Sequence, residues 1–277
     1  MERPEPHSAE RYLLRAIEVL GADVMFVGAH PDDETFALGG HLPRLHRLDV
    51  VIVTDGAPHD LKDARKVGFA TAEEYAAARA SELREALAVA GVPEGQLVEL
   101  HVPDQEAALV LPELSHRLVE LFRDKKTWLV LTHAYEGGHP DHDAVAFAVH
   151  AARRLLDAAG ETPPVLVEMP YYRQDANGGV AQGFADAEGV YVAELSDEQL
   201  QRKTEIMGRH ASQLRLFGRS SAGFRSRNES FRLAPDYDFR QPPNEGRRLY
   251  ESWGLNITGA QWQEAAEKAL AQLGLER

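Results

Sequence analysis

The stretch that decides the fold is residues 24–34, which read VMFVGAHPDDE. It begins as an apolar run of strand length and ends in a histidine, a proline and three consecutive acids. A buried strand of an open α/β sheet delivers its last residues to the edge where such folds bind their ligands. This strand would bring one imidazole and several carboxylates to a single point, and these are the nitrogen and oxygen ligands of a divalent metal site.

A second stretch repeats the pattern. Residues 128–133 read WLVLTH and residues 137–142 read GGHPDH, so another apolar strand is followed by His-Pro-Asp. His30 and Asp33 lie three positions apart in the first motif, as do His139 and His142 in the second. If each proline opens a helical turn, both members of a pair lie on one face of that turn. Together the two motifs predict one shared metal centre.

A shared centre requires neighbouring strands, which a sheet order of the 3-2-1-4-5 kind provides at its point of reversal. A set such as His30, Asp33 and His142 would then supply three protein ligands and leave a position for water, as in catalytic rather than structural zinc sites. The competing interpretation treats both motifs as helix caps or surface loops. Two such motifs favour the metal, because a dication offsets the repulsion among the gathered ionisable groups.

The composition narrows the classes of function. The 30 basic and 44 acidic residues give a formal charge of −14 without a basic cluster, which argues against nucleic acid and anionic membranes as partners. The chain has no cysteine, so any zinc must be held by histidine and carboxylate. No apolar stretch approaches the roughly 20 residues of a membrane span, and residues 1–7 lack the features of a signal peptide. We therefore expect a cytoplasmic protein and leave a homo-oligomer open.

Strand and helix patterns alternate along most of the chain. They predict an α/β fold, a Rossmann-like, mostly parallel sheet with helices on both faces. We expect a single domain over residues 1–277, with a core at about 23–215 and a less regular C-terminal extension at 216–277. The predicted strands are 23–29, 49–54, 97–102, 127–133, 165–169 and 190–195. The predicted helices are 9–20, 41–48, 72–90, 111–122, 141–159, 197–215 and 258–273, and the predicted loops are 57–71, 174–188 and 219–223.

The motif pair resembles the PIG-L/LmbE-like family of zinc-dependent N-acetylglucosaminyl deacetylases. The residues that carry the resemblance are 29–34 (AHPDDE) and 139–142 (HPDH). Weaker similarities follow in the same order along the chain, covering roughly residues 23–215: residues 54–56 (TDG), 79–83 (RASEL), Lys203 and 210–213 (HASQ).

The resemblance implies a zinc ion bound by His30, Asp33 and His142, with other divalent metals such as Fe²⁺ as alternatives. It also implies Asp32 as the general base and His139 as the residue that stabilises the transition state. Arg79 lies within the RASEL stretch. It matches an arginine that contacts substrate in some members.

Residue chemistry adds supporting roles around this centre. A carboxylate beside the ligands, but not coordinated, can take the proton of the attacking water, and Asp32 suits that role. A protonated His139 would stabilise the tetrahedral oxyanion, and Asp141 is expected to hold that imidazole in its charged form and orientation. We expect Glu34 to support the site rather than to bind the metal.

Further candidates come from strand ends and from the family. Asp55 follows the second predicted strand and is a candidate for substrate contact. The thiol-cofactor deacetylases carry a tyrosine shortly before the second motif, and Tyr135 is the candidate here although its register differs. Asp104 and His133 lie at strand ends and His210 lies in a later helix, and these three are weaker candidates.

These residues predict a metal-dependent hydrolase that removes an acetyl group from an N-acetylated sugar or a related small amide. An amidase acting on a thiol conjugate or another non-sugar amide is the alternative with the same chemistry. A non-catalytic nucleotide-binding Rossmann protein ranks lower, because Gly28 is followed by Ala29-His30-Pro31 and no Gly-x-Gly-x-x-Gly follows the first strand.

Overall fold

A central sheet organises the molecule. The structure is a computed structural model that describes residues 9–18, 23–45, 47–217 and 226–276. Within these ranges the strands are β1 Val24–Gly28, β2 Leu48–Thr54, β3 Leu97–Val102, β4 Leu129–His133, β5 Val165–Met169, β6 Arg173–Gln174, β7 Val180–Ala181, β8 Tyr191–Glu194 and β9 Asn228–Leu233. All belong to the central sheet except β6 and β7, which form a separate antiparallel hairpin.

The order of the central sheet is β3-β2-β1-β4-β5-β9-β8. The first five strands are parallel, and β9 and β8 extend the sheet in antiparallel fashion. Val24 of β1 pairs with Leu48 on one side and with Leu129 on the other, so β1 lies between β2 and β4. The predicted 3-2-1-4-5 order and the mostly parallel α/β class are confirmed.

Helices cover both faces of the sheet. The α-helices of the described residues are α1 Ala9–Glu18, α2 Asp33–Leu38, α3 Lys62–Val67, α4 Ala72–Ala90, α5 Leu111–Asp124, α6 Pro140–Ala158, α7 Asp197–Met207, α8 Ala211–Phe217, α9 Leu249–Ser252 and α10 Gly259–Gln272. Strand residues alternate between faces. Met25 and Val27 therefore pack with α5, α6 and α10, whereas Val24 and Phe26 pack with α1, α4 and α7.

Several segments differ from the sequence prediction, among them the predicted loop 174–188, which contains strand β7 of the β6–β7 hairpin. The predicted loop 57–71 contains the short helix α3, and the predicted helix 41–48 is only a 3₁₀ turn at Leu42–Arg44. The predicted helix 197–215 is broken, because α7 ends at Gly208 before α8 begins. Periodicity missed α3 because four of its six residues are charged.

The C-terminal part contributes to the sheet itself. Strand β9 pairs with β5 through Val167 and Leu233, and with β8 through Val192 and Ser230. This strand was not predicted, and the predicted loop 219–223 before it lies outside the described residues. Among the described helices, none is both long enough and apolar enough to cross a membrane.

One buried histidine lies in the core far from the motif residues. His150 of α6 is 6% exposed and packs against the rings of Tyr237 and Phe239, with centroids 5.3 and 5.5 Å away. In the described part of the chain its Nε2 has no hydrogen-bond partner. Burial lowers the pKa of His150 to about 3, and Arg153 and Arg154 add to the effect.

This burial predicts a loss of stability in acid. The unfolded chain protonates this histidine near pH 6.5, whereas the folded chain does not until about pH 3, so stability falls as pH drops through this window. The contribution between pH 7.5 and 4.5 is about 2–3 kcal/mol. Urea unfolding of His150→Leu should show a shallower loss than the parent protein, and the exposed His116→Gln should match the parent. Parallel pH profiles for all three proteins would contradict the prediction.

Candidate active site

The candidate site forms where β1 and β4 end side by side. Val27 pairs with Thr132 in parallel register, so the segments that follow both strands leave the sheet at one edge. A hydrogen bond then joins them, as the backbone N–H of Ala29 donates to Nε2 of His133 over 2.9 Å. The fold therefore brings the two His-Pro-Asp motifs together.

Three of the motif residues form a compact cluster with metal-ligating atoms. Nδ1 of His30 lies 3.2 Å from Nε2 of His142, and this Nε2 lies 3.4 Å from Oδ1 of Asp33. Nδ1 of His30 lies 3.6 Å from the other carboxylate oxygen of Asp33. Two ligands held about 2.0–2.1 Å from a tetrahedral zinc ion are about 3.3–3.4 Å apart. The spacing and the donor set of these three side chains therefore fit a divalent metal.

Backbone donors fix the Asp33 carboxylate. Its Oδ2 accepts the N–H of Ala29 at 2.9 Å and that of His30 at 2.7 Å, which leaves Oδ1 facing His142. The backbone carbonyl of Asp33 accepts the hydroxyl of Tyr171 at 3.1 Å. Burial alone would raise the pKa of Asp33, but His142 and His133 hold it well below its usual range. The carboxylate is therefore oriented and ionised.

Carboxylates on the far side of the imidazole orient His30. Its Nε2 lies 3.4 Å from Asp141 and 3.8 Å from Asp104. Neither contact is a hydrogen bond among the described residues, but a ligating histidine commonly has a carboxylate on this side of its ring. Burial raises the pKa of Asp104 to about 7, although His30 opposes the rise. Asp104, a weaker candidate in the sequence, is thus part of the site.

The structure corrects the expected role of Asp141. Its carboxylate accepts the backbone N–H groups of Gln105 at 2.6 Å and Ala107 at 3.2 Å and faces His30, whereas Nδ1 of His139 is 3.9 Å away. The reason is local: His139 is the N-cap of α6, and its Nδ1 accepts the backbone N–H of Asp141 at 3.2 Å. Asp141 therefore orients the other histidine.

The same cap fixes the tautomer of His139. Since Nδ1 accepts a hydrogen bond, a neutral His139 carries its proton on Nε2. Burial and the nearby imidazoles of His30 and His142 hold the pKa of His139 well below its usual range. Its ring lies 4.6 Å from that of His30, and it lines the same cavity. His139 can thus donate one hydrogen bond into the cavity without being charged, unlike the protonated form expected from the sequence.

Asp32 has an unusual backbone conformation and a buried carboxylate. Its φ is 148°, a region that residues other than glycine rarely adopt, and it is 7% exposed. Although it is the N-cap of α2, its side chain makes no capping hydrogen bond. Burial raises the pKa of Asp32 to about 6, although the guanidinium of Arg79 opposes the rise. A carboxylate of this kind is suited to accept a proton near neutral pH.

Arg79 holds Asp32 in place. Its Nη2 donates to Oδ1 of Asp32 at 3.2 Å and to the carbonyl of Pro31 at 3.0 Å, and its Nη1 donates to the carbonyl of Gly56 at 2.6 Å. The side chain is 5% exposed. Arg79 lines the cavity, as expected for a substrate contact, but most of its donors bind the protein itself. Its geometry supports a positioning role.

Two predicted substrate contacts lie elsewhere. Tyr135 points away from the site into the core, where its hydroxyl donates to the carbonyl of Gln241 at 3.0 Å and its ring packs on Phe239 and Trp262. Asp55 accepts the backbone N–H of Ala57 at 3.0 Å and that of Asp104 at 3.1 Å, which ties two loops together. Neither residue lines the cavity.

Buried polar residues pack against the ligand residues and the segments that carry them. The ring of His133 stacks on that of His142 with centroids 4.0 Å apart and an interplanar angle of 21°. Glu34 lies 3.3 Å from Nε2 of His210, which is fully buried, so both serve the scaffold, as expected for Glu34. Glu136 accepts the backbone N–H groups of Tyr171 and Tyr172 at 2.7 and 3.1 Å.

The cluster opens into a cavity of about 510 Å³. This volume lies within the range of roughly 300–1,000 Å³ found for small-molecule sites. Several lining residues were not predicted from the sequence, because segments far apart in the chain supply them: Phe36, Tyr75, Tyr171, Tyr172, Val180, Trp253 and Leu255. A tyrosine pair directly after β5, at the same sheet edge as the motifs, was the one available signal for Tyr171 and Tyr172.

The chain is similar to known deacetylases in sequence. Residues 25–153 match the family described as PIG-L: GlcNAc-PI de-N-acetylase. A 1D-myo-inositol 2-acetamido-2-deoxy-alpha-D-glucopyranoside deacetylase of Saccharopolyspora erythraea is 29% identical over 205 residues, which cover 60% of this chain. The match spans 63% of the length of that relative.

Solved structures share the fold. The N,N'-diacetylchitobiose deacetylase of Pyrococcus horikoshii has a TM-score of 0.58 at 19% identity, with 85% of this chain and 95% of that chain covered. The zinc-inhibited form of teicoplanin deacetylase has a TM-score of 0.58 at 16% identity, covering 78% and 98%. The A40926 pseudoaglycone deacetylase has a TM-score of 0.57 at 18% identity, covering 78% and 99%.

The family match contains both motifs and the strands that carry them. It begins inside β1 and ends inside α6, so it includes His30, Asp33 and His142. The resemblance indicated by the two His-Pro-Asp motifs is confirmed over residues 25–153, which match the PIG-L family.

Proposed function

We propose that this protein is a metal-dependent N-deacetylase, which releases acetate from an N-acetylated sugar or a related small amide. The observation that carries the proposal is the cluster of His30, Asp33 and His142, whose nitrogen and carboxylate oxygen atoms lie 3.2–3.6 Å apart on the wall of a cavity. Asp32 and His139 line the same cavity and supply a proton acceptor and a hydrogen-bond donor. We treat residues 1–277 as one deacetylase unit.

Zinc is the metal that we propose for the three ligands. Among the described residues, this group contains two imidazoles and one carboxylate, which is the set typical of catalytic zinc sites, and Fe²⁺ is an alternative with similar ligands. When bound, such an ion lowers the pKa of a coordinated water to about 7 and polarises the substrate carbonyl. The ionised carboxylate is also the form that binds a cation, and His142 and His133 hold the pKa of Asp33 well below its usual range.

Asp32 is the proposed proton carrier. Its carboxylate takes the proton of the attacking water and passes it to the amide nitrogen, which must leave as an amine. Arg79 keeps this carboxylate aimed into the cavity and lowers its pKa relative to what burial alone would give. Both effects keep Asp32 available as a base near neutral pH.

His139 is the proposed donor to the developing oxyanion. The N–H of Asp141 occupies Nδ1, so Nε2 is the atom that can donate to a carbonyl oxygen in the cavity. A donor aimed at such an oxyanion contributes about 3–4 kcal/mol of transition-state stabilisation in other hydrolases. The backbone of α6 fixes this donor before substrate arrives, so little reorganisation is needed.

The first prediction concerns metal content. Purified protein should contain about one equivalent of divalent metal, measured by inductively coupled plasma mass spectrometry. His30→Ala and His142→Ala should lose more affinity than the roughly 10–100-fold that removal of an outer partner costs, because each removes a ligand. The exposed His116→Ala is the matched control. Unchanged metal content in both ligand variants would reject the assignment.

The second prediction concerns the base. Asp32→Asn keeps the shape of the side chain but cannot accept a proton, so the variant should retain metal and lose about 10²–10⁴-fold in kcat. Acetate release and bound metal are measured on the same preparation. Turnover within a few-fold of the parent would remove Asp32 from the mechanism.

The third prediction separates positioning by Arg79 from substrate contact. Since Arg79 lowers the pKa of Asp32, Arg79→Gln should raise that pKa above about 6 and move the acid limb of kcat to higher pH. Arg84→Gln, on the exposed side of α4 and paired with Glu99, is the control. A pure rise in KM with an unshifted pH profile would instead indicate substrate contact.

A further inference from the structure

The cavity changes character between its floor and its mouth. The floor holds the buried His30, Asp32, Asp33 and His142. The mouth is lined largely by apolar side chains, including two of the few large hydrophobic residues that the described part of the chain exposes to solvent. These are Val180, which is 58% exposed, and Trp253, which is 47% exposed.

Separate elements supply the two sides of the mouth. Val180 lies in the β6–β7 hairpin, whereas Trp253 follows α9 and Leu255 lies two residues further on. Leu216 of α8 and Pro58 add to the apolar lining. Loops from distant parts of the chain thus place aliphatic and aromatic groups around a single opening. Isolated exposed hydrophobic residues are ordinary, but several apolar residues gathered at the opening of one cavity are typical of a binding surface.

Aromatic rings connect the floor to the rim. The ring of Tyr172 lies 5.2 Å from that of His142 and 5.6 Å from that of Trp253. Apart from His139 of the site, the polar side chains among the described lining residues that are at least partly exposed are those of Asp63, Gln105, Tyr172 and Gln182. Hydroxyl groups of a polyol or a second sugar would be desolvated here with few hydrogen-bond partners, which is costly. Apolar groups would gain from burial.

We propose that the substrate carries an apolar group next to its N-acetylated ring, and that Val180, Trp253 and Leu255 bind this group while the acetamide reaches the metal ligands. The inference rests on the proposed function, because it places the acetamide at the floor. It names the class of substrate as an N-acetylated glycoside or amide with an alkyl or aryl substituent. A free sugar, a polyol conjugate and an oligosaccharide are the alternatives that it excludes as preferred substrates.

A matched series of glycosides tests the proposal. Methyl, octyl and phenyl N-acetyl-β-glucosaminides and N,N'-diacetylchitobiose are compared by acetate release from the metal-loaded protein. The octyl and phenyl compounds should exceed the methyl compound by at least about tenfold in kcat/KM, an effect that burial of fewer than two methylene groups produces. Diacetylchitobiose should not exceed the methyl compound. Equal kcat/KM values for methyl, octyl and phenyl glycosides would overturn the inference while leaving the proposed function intact.

Binding gives a second readout that does not require turnover. Calorimetric titration with octyl and methyl β-glucoside, which lack the acetamide, should show at least about tenfold tighter binding of the octyl compound below its micelle concentration. If no compound releases acetate, the proposed function fails, and this titration still decides the apolar site. Equal affinity for the two glucosides would overturn it.

Surface variants locate the effect. Trp253→Ala and Val180→Ser should each lower the octyl-to-methyl ratio by at least about threefold, since each removes apolar contact at the mouth. Val192→Ser is the matched control, because Val192 is 50% exposed on β8 and does not line the cavity. An octyl-to-methyl ratio that falls equally in the control, or in none of the variants, would contradict the placement of the apolar group.

Discussion

The adjacency of β1 and β4 is the constraint on which the site depends. His30 and His142 are separated by 112 positions in sequence, yet their ring nitrogens lie 3.2 Å apart because both strands end at the same sheet edge. The hydrogen bond from the backbone of Ala29 to His133 holds the two strand ends together at that point. A different strand order would leave two incomplete half-sites. Sheet topology therefore brings these residues together, whereas in metal sites built from a single loop the ligands are already close in sequence.

Assembling acids and imidazoles at one point is costly, and backbone groups offset much of the cost. Asp33 accepts two backbone N–H groups and Asp141 accepts two more, so both carboxylates are oriented by donors that belong to the fold. Arg79 does the same for Asp32 with a side chain. Hydrogen bonds from such donors to a carboxylate are stronger than those between neutral groups, and they do not require a bound metal. Much of the geometry proposed for metal binding is thus built into the protein, which would reduce the ordering that accompanies binding.

Residue type and spacing were enough to predict the strand order and to select the three clustered ligand candidates, because strand ends and the direction of helical turns follow from chain geometry alone. Side-chain direction was harder. Asp141 was matched to its neighbour His139, but the helix cap turned its carboxylate toward His30. Tyr135 was placed by motif position, whereas the bend after β4 sends it into the core. Strand β9 carries a polar, charged sequence, and its pairing with β5 depends on contacts that no local pattern reveals.

The position of β9 between β5 and β8 also shows that the segment matched by the family is shorter than the segment that forms the sheet. The family match ends at residue 153, before β5 begins, while the sheet continues through three further strands of which β9 comes from near the end of the chain. A chain that ended at the border of the match would leave β4 as an edge strand with unpaired backbone groups. Such an edge promotes aggregation. Residues 25–153 therefore do not contain the whole sheet that positions the two motifs, because residues later in the chain complete it.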